Sequence, residues 1–467
     1  MNVSRRSVLR GIGVAGASLA FAGYATAADG DVAQFVVSGN ANVGSRLEDA
    51  GYEVRRELAD GQVYVVHGPA DGGLEDVAGV ESAAQDVRLE LVEPFDRTPT
   101  VEEVEPPAGY EGFLWDKQNI ESLAANERAT GEGASVAIID TGIDYAHPEL
   151  VPNLDEDAGR LFRMGEIQSG VGEVFVPDDY FEPTELTTAE FHVADEQHGH
   201  GTHVGGIAAA AGGGQVIGTA PDADLVALRV FWWTLAEDDG ELVPVNVTTT
   251  GDILAAIDHA AAQGYDVANL SLGTAPIHPG ELDGGELRDL KVPYHQVIQH
   301  AVQQDTVVTA SAGNSETDLG GGLFSLPNSV AGATSVSATG PNDELSFYSD
   351  YGTSEVDVGA PGGGYETLEK TNIEDPDVVD WPFPLNLVFS TTSARVEGGA
   401  YGWKAGTSMA APQVAGLVAL VRELDPDANP NQVESAIKHG AEGANGRSDE
   451  HLGAGRINAR NTVERLD

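Results

Sequence analysis

Three short segments of the chain place an acid, a base and a hydroxyl nucleophile next to glycine-rich turns. Asp140 ends an apolar run, His200 stands in residues 198–203 (HGHGTH), and Ser408 stands in residues 406–412 (GTSMAAP). Taken singly, an aspartate before a turn is ordinary, and a serine that opens a helix is usually an N-cap. Together the three supply what nucleophilic catalysis requires: a carboxylate that orients an imidazole, and an imidazole that takes the proton of a hydroxyl.

The histidine-rich segment allows a second interpretation. His198, His200 and His203 are three of the 12 histidines of the chain. A neutral imidazole, with an unperturbed pKa of about 6.5, suits general base catalysis, and the neighbouring glycines leave the ring accessible. The same cluster could bind a metal ion, although no carboxylate stands at the helical spacing of a metalloprotease motif. The local sequence leaves both interpretations open.

The elements that must position these residues alternate between apolar strands and alanine-rich helices. Continuously apolar runs, typical of strands buried on both faces, cover 134–139, 225–231, 267–272 and 307–312. Helical patterns cover 204–211, 253–262, 292–303 and the segment from Ser408 to Val421. The alternation predicts an α/β fold with a doubly wound, mostly parallel sheet and helices on both faces. Functional residues of such sheets lie at the carboxyl ends of strands, where Asp140 is expected.

In the three segments that contain Asp140, His200 and Ser408, the chain resembles the subtilisin-like serine proteases, the subtilases, and is similar to haloarchaeal secreted members of that family. The matching blocks are 140–143 (DTGI), 200–206 (HGTHVGG) and 406–412 (GTSMAAP), in the chain order of that family. Further matches are 269–273 (NLSLG), 311–314 (SAGN), 357–362 (DVGAPG) and 453–459 (GAGRINA). The resemblance covers roughly Trp115 to the carboxyl terminus.

The resemblance implies a role for each residue. Asp140 orients His200, which takes the proton of Ser408 and returns it to the leaving amine. Asn314 and the backbone N–H of Ser408 form the oxyanion hole. Two segments line the substrate pocket, and the first also pairs with the peptide substrate as an added strand. These residues are Ser271, Leu272 and Gly273, and Ser311, Ala312 and Gly313.

Calcium is the metal that the resemblance raises. Glu149 stands where the family's site often has an acid, but the loop expected to bring further ligands reads Gly212-Gly213-Gly214. Glycine has no ligand side chain, so we expect this site to be weak or absent, with structural Ca²⁺ still open at other carboxylates. The metal ligands of the chain are therefore unknown, and the chemistry itself is expected to need no cofactor.

The first 27 residues have the pattern of an export signal. Arg5 and Arg6 precede a mild apolar run, 11–27, which ends in Ala25-Thr26-Ala27. The arginine pair resembles a twin-arginine signal, and the run is too rich in glycine and alanine for a membrane anchor. We therefore expect a secreted, extracellular protein that is cleaved after Ala27 and has no membrane anchor.

Residues 28–95 have the pattern of a small ferredoxin-like α+β module. Strands are expected at 35–37, 52–58, 63–66 and 87–92, and helices at 43–50 and 74–80. By the family resemblance this module is a propeptide, which acts as chaperone and inhibitor. A linker rich in proline and acids, 96–112, carries the expected maturation site, and the catalytic domain covers 113–467.

The composition excludes several classes of function. The 467 residues include 75 Asp and Glu against 24 Lys and Arg, a net charge of −51, and no cysteine. Such a surface repels phosphate backbones, which argues against nucleic acid as a partner. The lack of thiols excludes disulfides, thiolate metal sites and a cysteine nucleophile. Acidity spread along the chain suits multimolar salt, where the Debye length is about 3 Å, so we expect a halophilic protein.

The leading hypothesis is a monomeric, secreted subtilisin-like endopeptidase, made as a precursor that processes itself and is inhibited by its own propeptide. Insertions near the cleft are expected to alter its substrate preference, and the longest, 155–196, reads as an acidic loop. The others are 232–247, 278–290 and 363–385. The alternative is a catalytically silent, exported binding protein of the same fold that holds a metal through the histidine cluster.

Overall fold

The computed structural model of the chain describes residues 28–29, 32–40, 43–70, 72–91, 113–238, 241–277, 286–443 and 448–466. The expected export signal, 1–27, and linker, 96–112, lie outside the described residues. The strands are β1 (Ala28–Asp29), β2 (Val32–Gly39), β3 (Glu53–Leu58), β4 (Val63–Pro69), β5 (Val80–Gln85), β6 (Arg88–Glu90), β7 (Ser135–Asp140), β8 (Arg160–Arg163), β9 (Glu166–Ser169), β10 (Val171–Pro177), β11 (Leu186–His192), β12 (Asp224–Arg229), β13 (Trp232–Asp238), β14 (Glu241–Thr249), β15 (Val267–Leu270), β16 (Val307–Ser311), β17 (Ala333–Thr339), β18 (Val358–Pro361), β19 (Val388–Thr391) and β20 (Tyr401–Lys404). The helices are α1 (Val43–Asp49), α2 (Trp115–Asn119), α3 (Ser122–Ala125), α4 (His200–Ala209), α5 (Thr250–Gln263), α6 (Glu286–Gln303), α7 (Leu368–Thr371), α8 (Ala394–Glu397), α9 (Thr407–Leu424), α10 (Pro430–Gly440) and α11 (Ala459–Glu464).

An eight-stranded sheet forms the centre of the large domain, as the sequence predicts. The strand order is β18-β17-β16-β15-β7-β12-β8-β9. All neighbours pair in parallel except β8 and β9, which are antiparallel. The four predicted apolar runs form the consecutive strands β16, β15, β7 and β12 at the middle of this sheet, so the fold class is confirmed.

Both faces of the central sheet are buried. Along β7, Val136 and Ile138 contribute to a hydrophobic core with α4 and α9, whereas Ala137 and Ile139 contribute to a second core with α5 and α6. Successive side chains of a strand point to opposite faces, so a strand between two helical layers needs an apolar residue at every position. Within the described parts of the chain, no helix has the length and apolar character needed to cross a bilayer.

The predicted loop at 155–196 is largely strand, so this expectation was wrong, and the expected insertion at 232–247 forms two strands as well. β8 and β9 extend the central sheet, while β10 pairs with β11 and β13 with β14 as antiparallel hairpins. Their apolar residues pack together with one another: Leu161, Val174, Val176, Val193, Trp232 and Val247. Glu173 and Phe175, on either side of the buried Val174 in β10, are exposed. This alternation of period two is typical of half-buried strands, and the many acids obscured it.

The N-terminal module has the strand order of a ferredoxin-like sheet, β3-β4-β2-β5, with all neighbours antiparallel. The second predicted helix, 74–80, is wrong, because only a 3₁₀ turn over Leu74–Asp76 forms. Glycines at 72, 73 and 79 leave too few residues to offset the cost of helix nucleation. The predicted last strand, 87–92, forms over Arg88–Glu90, but its predicted place in this sheet is wrong: β5 completes the sheet, and β6 pairs with β14 of the large domain.

The second face of the module's sheet packs on the large domain. Along β4, Tyr64 and Val66 belong to the module's own core with α1. Val63 and Val65 belong instead to the core that contains residues of α5 and α6. The module therefore completes the burial of its sheet with helices of the neighbouring domain.

A buried carboxylate reinforces this docking. Asp86 accepts hydrogen bonds from the N–H groups of Thr250 (2.9 Å) and Gly251 (2.8 Å), at the N-terminus of α5. Gln34 Nε2 donates to Asp86 at 2.7 Å. The first N–H groups of a helix have no acceptor within it and favour negative charge, so the module caps a helix of the large domain.

Candidate active site

Asp140 is the last residue of β7, at the carboxyl end of a central strand. Its side chain is buried, and Oδ1 accepts hydrogen bonds from the backbone N–H of Thr141 (2.7 Å) and from Nδ1 of His200 (2.8 Å). The sequence-predicted acid and base are therefore in direct contact. Because Nδ1 donates to the carboxylate, the neutral ring has its lone pair on Nε2, the form that accepts a proton.

His200 begins α4, and two glycines allow it to stand so close to β7. Gly199 has φ +107°, a left-handed conformation that glycine adopts without strain. A Cβ on Gly201 would overlap the carbonyl oxygen of Gly142, so only glycine lets the helix begin against this strand end. The Gly201 N–H donates to Thr141 Oγ1 at 2.8 Å, which ties the helix start to the residue after Asp140.

A buried acid that the sequence analysis missed, Glu196, also fixes the start of α4. Its carboxylate accepts hydrogen bonds from the N–H of His198 (2.9 Å) and from both the N–H (2.8 Å) and the hydroxyl (2.9 Å) of Thr202. Burial raises the pKa of Glu196, but the N–H groups of Gly199 and His198 outweigh it and hold the pKa below its ordinary value. The signal available in the sequence was an acid shortly before a helix start.

Ser408 lies in the first turn of α9, which packs against α4. Its Oγ donates to the carbonyl oxygen of Ser271 (3.1 Å), and Ser271 Oγ donates to the carbonyl oxygen of Ser408 (2.8 Å). Asn269 Nδ2 donates to Ser271 Oγ at 2.9 Å. These bonds lock the helix start onto the segment after β15. The N–H groups of a first helical turn have no acceptor within the helix, so they can receive negative charge.

Asn314 lies shortly after β16, and its orientation is fixed by the start of α9. Oδ1 accepts hydrogen bonds from the N–H and the hydroxyl of Thr407, both at 2.9 Å. With the oxygen engaged in this way, Nδ2 is the group that can donate to an oxyanion. The structure therefore brings Asn314 next to the residue that precedes Ser408.

The loop after Asn314 is held by a second acid that the sequence analysis missed. Asp350 accepts from the N–H groups of Ser315 and Thr317, both at 2.9 Å, and burial raises its pKa to about 7. Gly313, with φ +114°, has no room for a side chain, because a Cβ there would overlap the Asp350 carboxylate. Asp350 thus fixes the loop that carries Asn314.

A small pocket, with a cavity volume of about 20 Å³, lies beside Ser408. Its lining includes most of the predicted substrate-binding residues and three further ones: Ser271, Leu272, Gly273, Ser311, Gly313 and Asn314, with Thr274, Asn328 and Leu91. Ala312 is buried and does not line it; its carbonyl oxygen accepts from Asn328 Nδ2 at 3.1 Å. That Ser271 to Gly273 pair with a substrate strand stays a prediction.

The histidine cluster does not form a metal site. Nδ1 of His200 is bonded to Asp140, and Nε2 of His203 lies 3.3 Å from the carbonyl oxygen of Gly402. Across the described residues, no group of three or more His, Asp or Glu side chains has the arrangement of a metal site. The three histidines therefore have separate surroundings.

Glu149 lies against the glycine loop, where the family resemblance suggests a calcium site. Its two carboxylate oxygens lie 3.3 Å from the N–H of Val216, which donates to them. The loop residue Gly214 packs so closely on this carboxylate that a Cβ would overlap it. The acid therefore binds the backbone of the glycine loop, and a structural Ca²⁺ at this place stays a prediction.

Comparisons with known proteins agree with this geometry. A model of the Subtilase family matches residues 131–455. The thermophilic serine proteinase of Bacillus sp. (strain AK1) is 30% identical over 387 residues, which cover 80% of this chain and 75% of that protein. Subtilisin Savinase of Lederbergia lenta is 30% identical over 347 residues, which cover 74% of this chain and 96% of the relative.

Solved structures share the fold at lower identity. The epidermin leader peptide processing serine protease of Staphylococcus aureus has a TM-score of 0.68 at 18% identity, with 94% of this chain and 99% of that chain covered. Fervidolysin from Fervidobacterium pennivorans, a keratinolytic enzyme related to subtilisin, has a TM-score of 0.59 at 21% identity, with 94% and 62% covered. A match over 94% of the chain extends beyond the large domain into the N-terminal module.

Proposed function

Since the chain belongs to the subtilase family and is a serine endopeptidase, we propose that it cleaves peptide bonds with Asp140, His200 and Ser408. The observation that carries this proposal is the buried 2.8 Å contact between Asp140 Oδ1 and His200 Nδ1, on elements that pack against the helix of Ser408. An acid in this position keeps the imidazole in the tautomer that can act as a base and stabilises the imidazolium that forms.

The proposed reaction begins when the Ser408 hydroxyl turns from the Ser271 carbonyl toward His200. Nε2 takes the proton, and Oγ attacks the carbonyl carbon of the substrate. Asn314 Nδ2 and the backbone N–H of Ser408 donate to the resulting oxyanion. His200 then gives the proton to the leaving amine, and water hydrolyses the acyl-enzyme in the same way. No step requires a cofactor.

The test is Ser408→Ala, which removes the nucleophile and leaves the fold unchanged. We expect peptide hydrolysis to be lost, with activity at or below roughly 10⁻⁴ of the wild type. The conservative variant Thr407→Ser keeps both donors to Asn314 and serves as control. Full hydrolysis by Ser408→Ala would contradict the proposed nucleophile.

We further propose that the protein is secreted through its twin-arginine signal and matures from an inactive precursor. Support for the precursor comes from the docked module, which caps α5 through Asp86 and shares its hydrophobic core with the large domain. We expect a module seated in this way to inhibit the domain until the connection is cut. In Ser408→Ala the precursor should persist as one chain, and full processing in that variant would contradict self-maturation.

Adaptation to high salt is also part of the proposal. The net charge of −51 supports it, because carboxylate repulsion destabilises a compact state unless salt screens it. We expect loss of the far-ultraviolet circular dichroism signal after dialysis into low salt. An unchanged signal and unchanged activity would contradict this part alone.

The alternative, a silent binding protein with a histidine metal site, is disfavoured. His200 is engaged by Asp140, and the family relatives carry protease names. A chelator separates the two hypotheses, because hydrolysis by the triad continues in its presence. Metal-dependent binding without hydrolysis would favour the alternative.

A further inference from the structure

The segment that leaves the N-terminal module runs directly into the candidate active site. β6 pairs antiparallel with the end of β14, with Arg88 opposite Thr249 and Glu90 opposite Val247. β14 continues into α5, whose N-terminus Asp86 caps. β6 therefore starts beside the N-terminus of α5 and runs away from this helix along β14. A short extended strand on the edge of another strand is a common mode of peptide recognition.

Leu91, the residue after β6, reaches the candidate substrate pocket. It lines this pocket together with Ser408 and Asn314, and it also packs on the hydrophobic core of α5 and α6. None of the residues that the structure describes in the pocket lining is charged. A leucine side chain therefore forms part of the wall of a neutral pocket beside the nucleophile.

The position of Leu91 is set by the Asp86 anchor. Both oxygens of Asp86 are bound to the N-terminus of α5, and Val87 N–H also donates to Asp86 at 2.8 Å. Only four residues separate this anchor from Leu91, and three of them form β6. An extended chain advances about 3.3 Å per residue. If Phe95 lay at the pocket in place of Leu91, four more residues, or about 13 Å of extended chain, would have to fit between Asp86 and the pocket.

We propose that the Leu91–Val92 peptide bond is the maturation site, and that the pocket beside Ser408 selects leucine-like residues before the scissile bond. This deepens the proposed function and rests on it. It moves the first cleavage upstream of the linker at 96–112, which would then remain on the mature domain until trimmed. The chemical class of preferred substrate is a peptide with a medium-sized, neutral apolar side chain at that position.

The cleavage follows the proposed mechanism and needs only water. Ser408 Oγ forms a bond with the Leu91 carbonyl carbon as its proton passes to His200, and the bond from that carbon to the Val92 nitrogen breaks. His200 protonates the released Val92 amine. Water then gives its hydroxyl to the Leu91 carbonyl carbon as the bond from that carbon to Ser408 Oγ breaks, and His200 passes the other proton of the water to Oγ. The Leu91 carboxylic acid that forms loses its proton to solvent, and the serine is free.

The direct experiment is amino-terminal sequencing and intact mass spectrometry of the full chain during self-processing. The expected first product begins at Val92. Leu91→Asp should slow this cleavage by roughly 100-fold, because an unpaired carboxylate is costly to bury in a neutral pocket. Leu91→Met should process at nearly the wild-type rate. Phe95→Asp, the matched control at the boundary that the sequence suggests, should also leave the rate unchanged.

A second measurement keeps the test valid if Leu91→Asp does not fold. The mature wild-type enzyme should hydrolyse the p-nitroanilide of Arg-Leu-Glu-Leu roughly 100-fold faster, in kcat/KM, than that of Arg-Leu-Glu-Asp. A first product that begins elsewhere, or equal rates on the two peptides, would overturn the inference while the protease function stands. Absence of both self-cleavage and peptide hydrolysis would instead overturn the proposed function, and the inference with it.

Discussion

The large domain and the N-terminal module bury their sheets in different ways. The domain covers both faces of its central sheet with its own helices, α4 and α9 on one side and α5 and α6 on the other. The module covers one face with α1, and buries the other only by packing on α5 and α6. The module thus depends on the domain for part of its core.

The contacts that position the chemical groups follow the same division. Every hydrogen bond described above for Asp140, His200 and Ser408 comes from the large domain. The module contributes Asp86 at α5 and Leu91 at the pocket. This difference indicates that changes inside the domain alter turnover, whereas changes at the docking face alter only the precursor. The following variants test that division.

The largest effect is expected for Asp140→Asn. An amide can present its N–H₂ group to Nδ1 and so favour the tautomer that cannot take the serine proton, which should lower kcat about 10⁴-fold. Steady-state hydrolysis of a peptide substrate measures the loss of kcat, and the melting temperature shows separately whether the fold is intact. A loss below tenfold, with the fold intact, would show that the 2.8 Å contact to His200 is structural only.

The next effect is expected for Asn314→Ala. Removal of one donor from an oxyanion hole costs roughly 10² to 10³ in kcat, with KM nearly unchanged. Thr407→Val provides a graded comparison, because it removes one of the two donors that fix Asn314 Oδ1 and leaves the backbone N–H. We expect it to lower kcat by about tenfold. An Asn314→Ala enzyme with raised KM and unchanged kcat would assign this residue to substrate binding.

A smaller effect is expected for Glu196→Gln, which weakens the acceptor at the start of α4. Buried hydrogen bonds to a charged group contribute about 1.5 to 3 kcal/mol, so the free energy of unfolding should fall by about 2 kcal/mol. Because His200 begins α4, a weakened helix start should also displace its imidazole and lower kcat by about tenfold. Glu190→Gln, an exposed acid of β11, is the control and should change stability by less than about 0.5 kcal/mol. Equal behaviour of the two variants would contradict the positioning role of Glu196.

The smallest effect concerns the docking face and depends on pH. Burial raises the pKa of Asp86 from 3.8 to about 6. The docked state therefore binds the proton more tightly, and this contribution to stability is present below pH 3.8 and lost as pH rises through about 6. The comparison is between the Ser408→Ala precursor and the same precursor with Asp86→Asn. From pH 7 to pH 4, the difference in their free energies of unfolding should shift by about 2 kcal/mol in favour of the protein with Asp86.

Chemical denaturation at several pH values measures this shift. Asp252→Asn is a useful companion variant, because the nearby Asp252 carboxylate contributes to the raised pKa of Asp86. A constant difference between Asp86 and its variant would show that the carboxylate does not titrate at the interface.

The sequence predicts the central sheet well because its strands follow a local pattern, and the residues proposed for the site stand out by local patterns too. The strand that ends at Asp140 is continuously apolar, and the glycines beside His200 and Ser408 occur within a few residues of them. That these four buried strands form one mostly parallel sheet follows from their alternation with helices. These features need no knowledge of distant contacts.

The remaining features depend on partners that are distant in sequence. β6 leaves its own sheet because β14, which lies more than 150 residues later, offers an edge. Glu196 and Asp350 are buried acids that accept hydrogen bonds from backbone N–H groups. This role appears only in the folded chain, where those N–H groups converge on them. The hairpins in the acidic segments depend on a small core shared between β8, β10 and β13. Composition alone favoured loops at those places.

The most direct test of the proposed mechanism is covalent labelling of the mature enzyme with an organophosphonate, followed by peptide mapping. We expect one adduct, on Ser408, that forms at the rate at which hydrolysis is lost, is unaffected by a chelator, and is absent in Asp140→Asn at matched times. An adduct on another residue, or loss of hydrolysis without an adduct on Ser408, would contradict the triad.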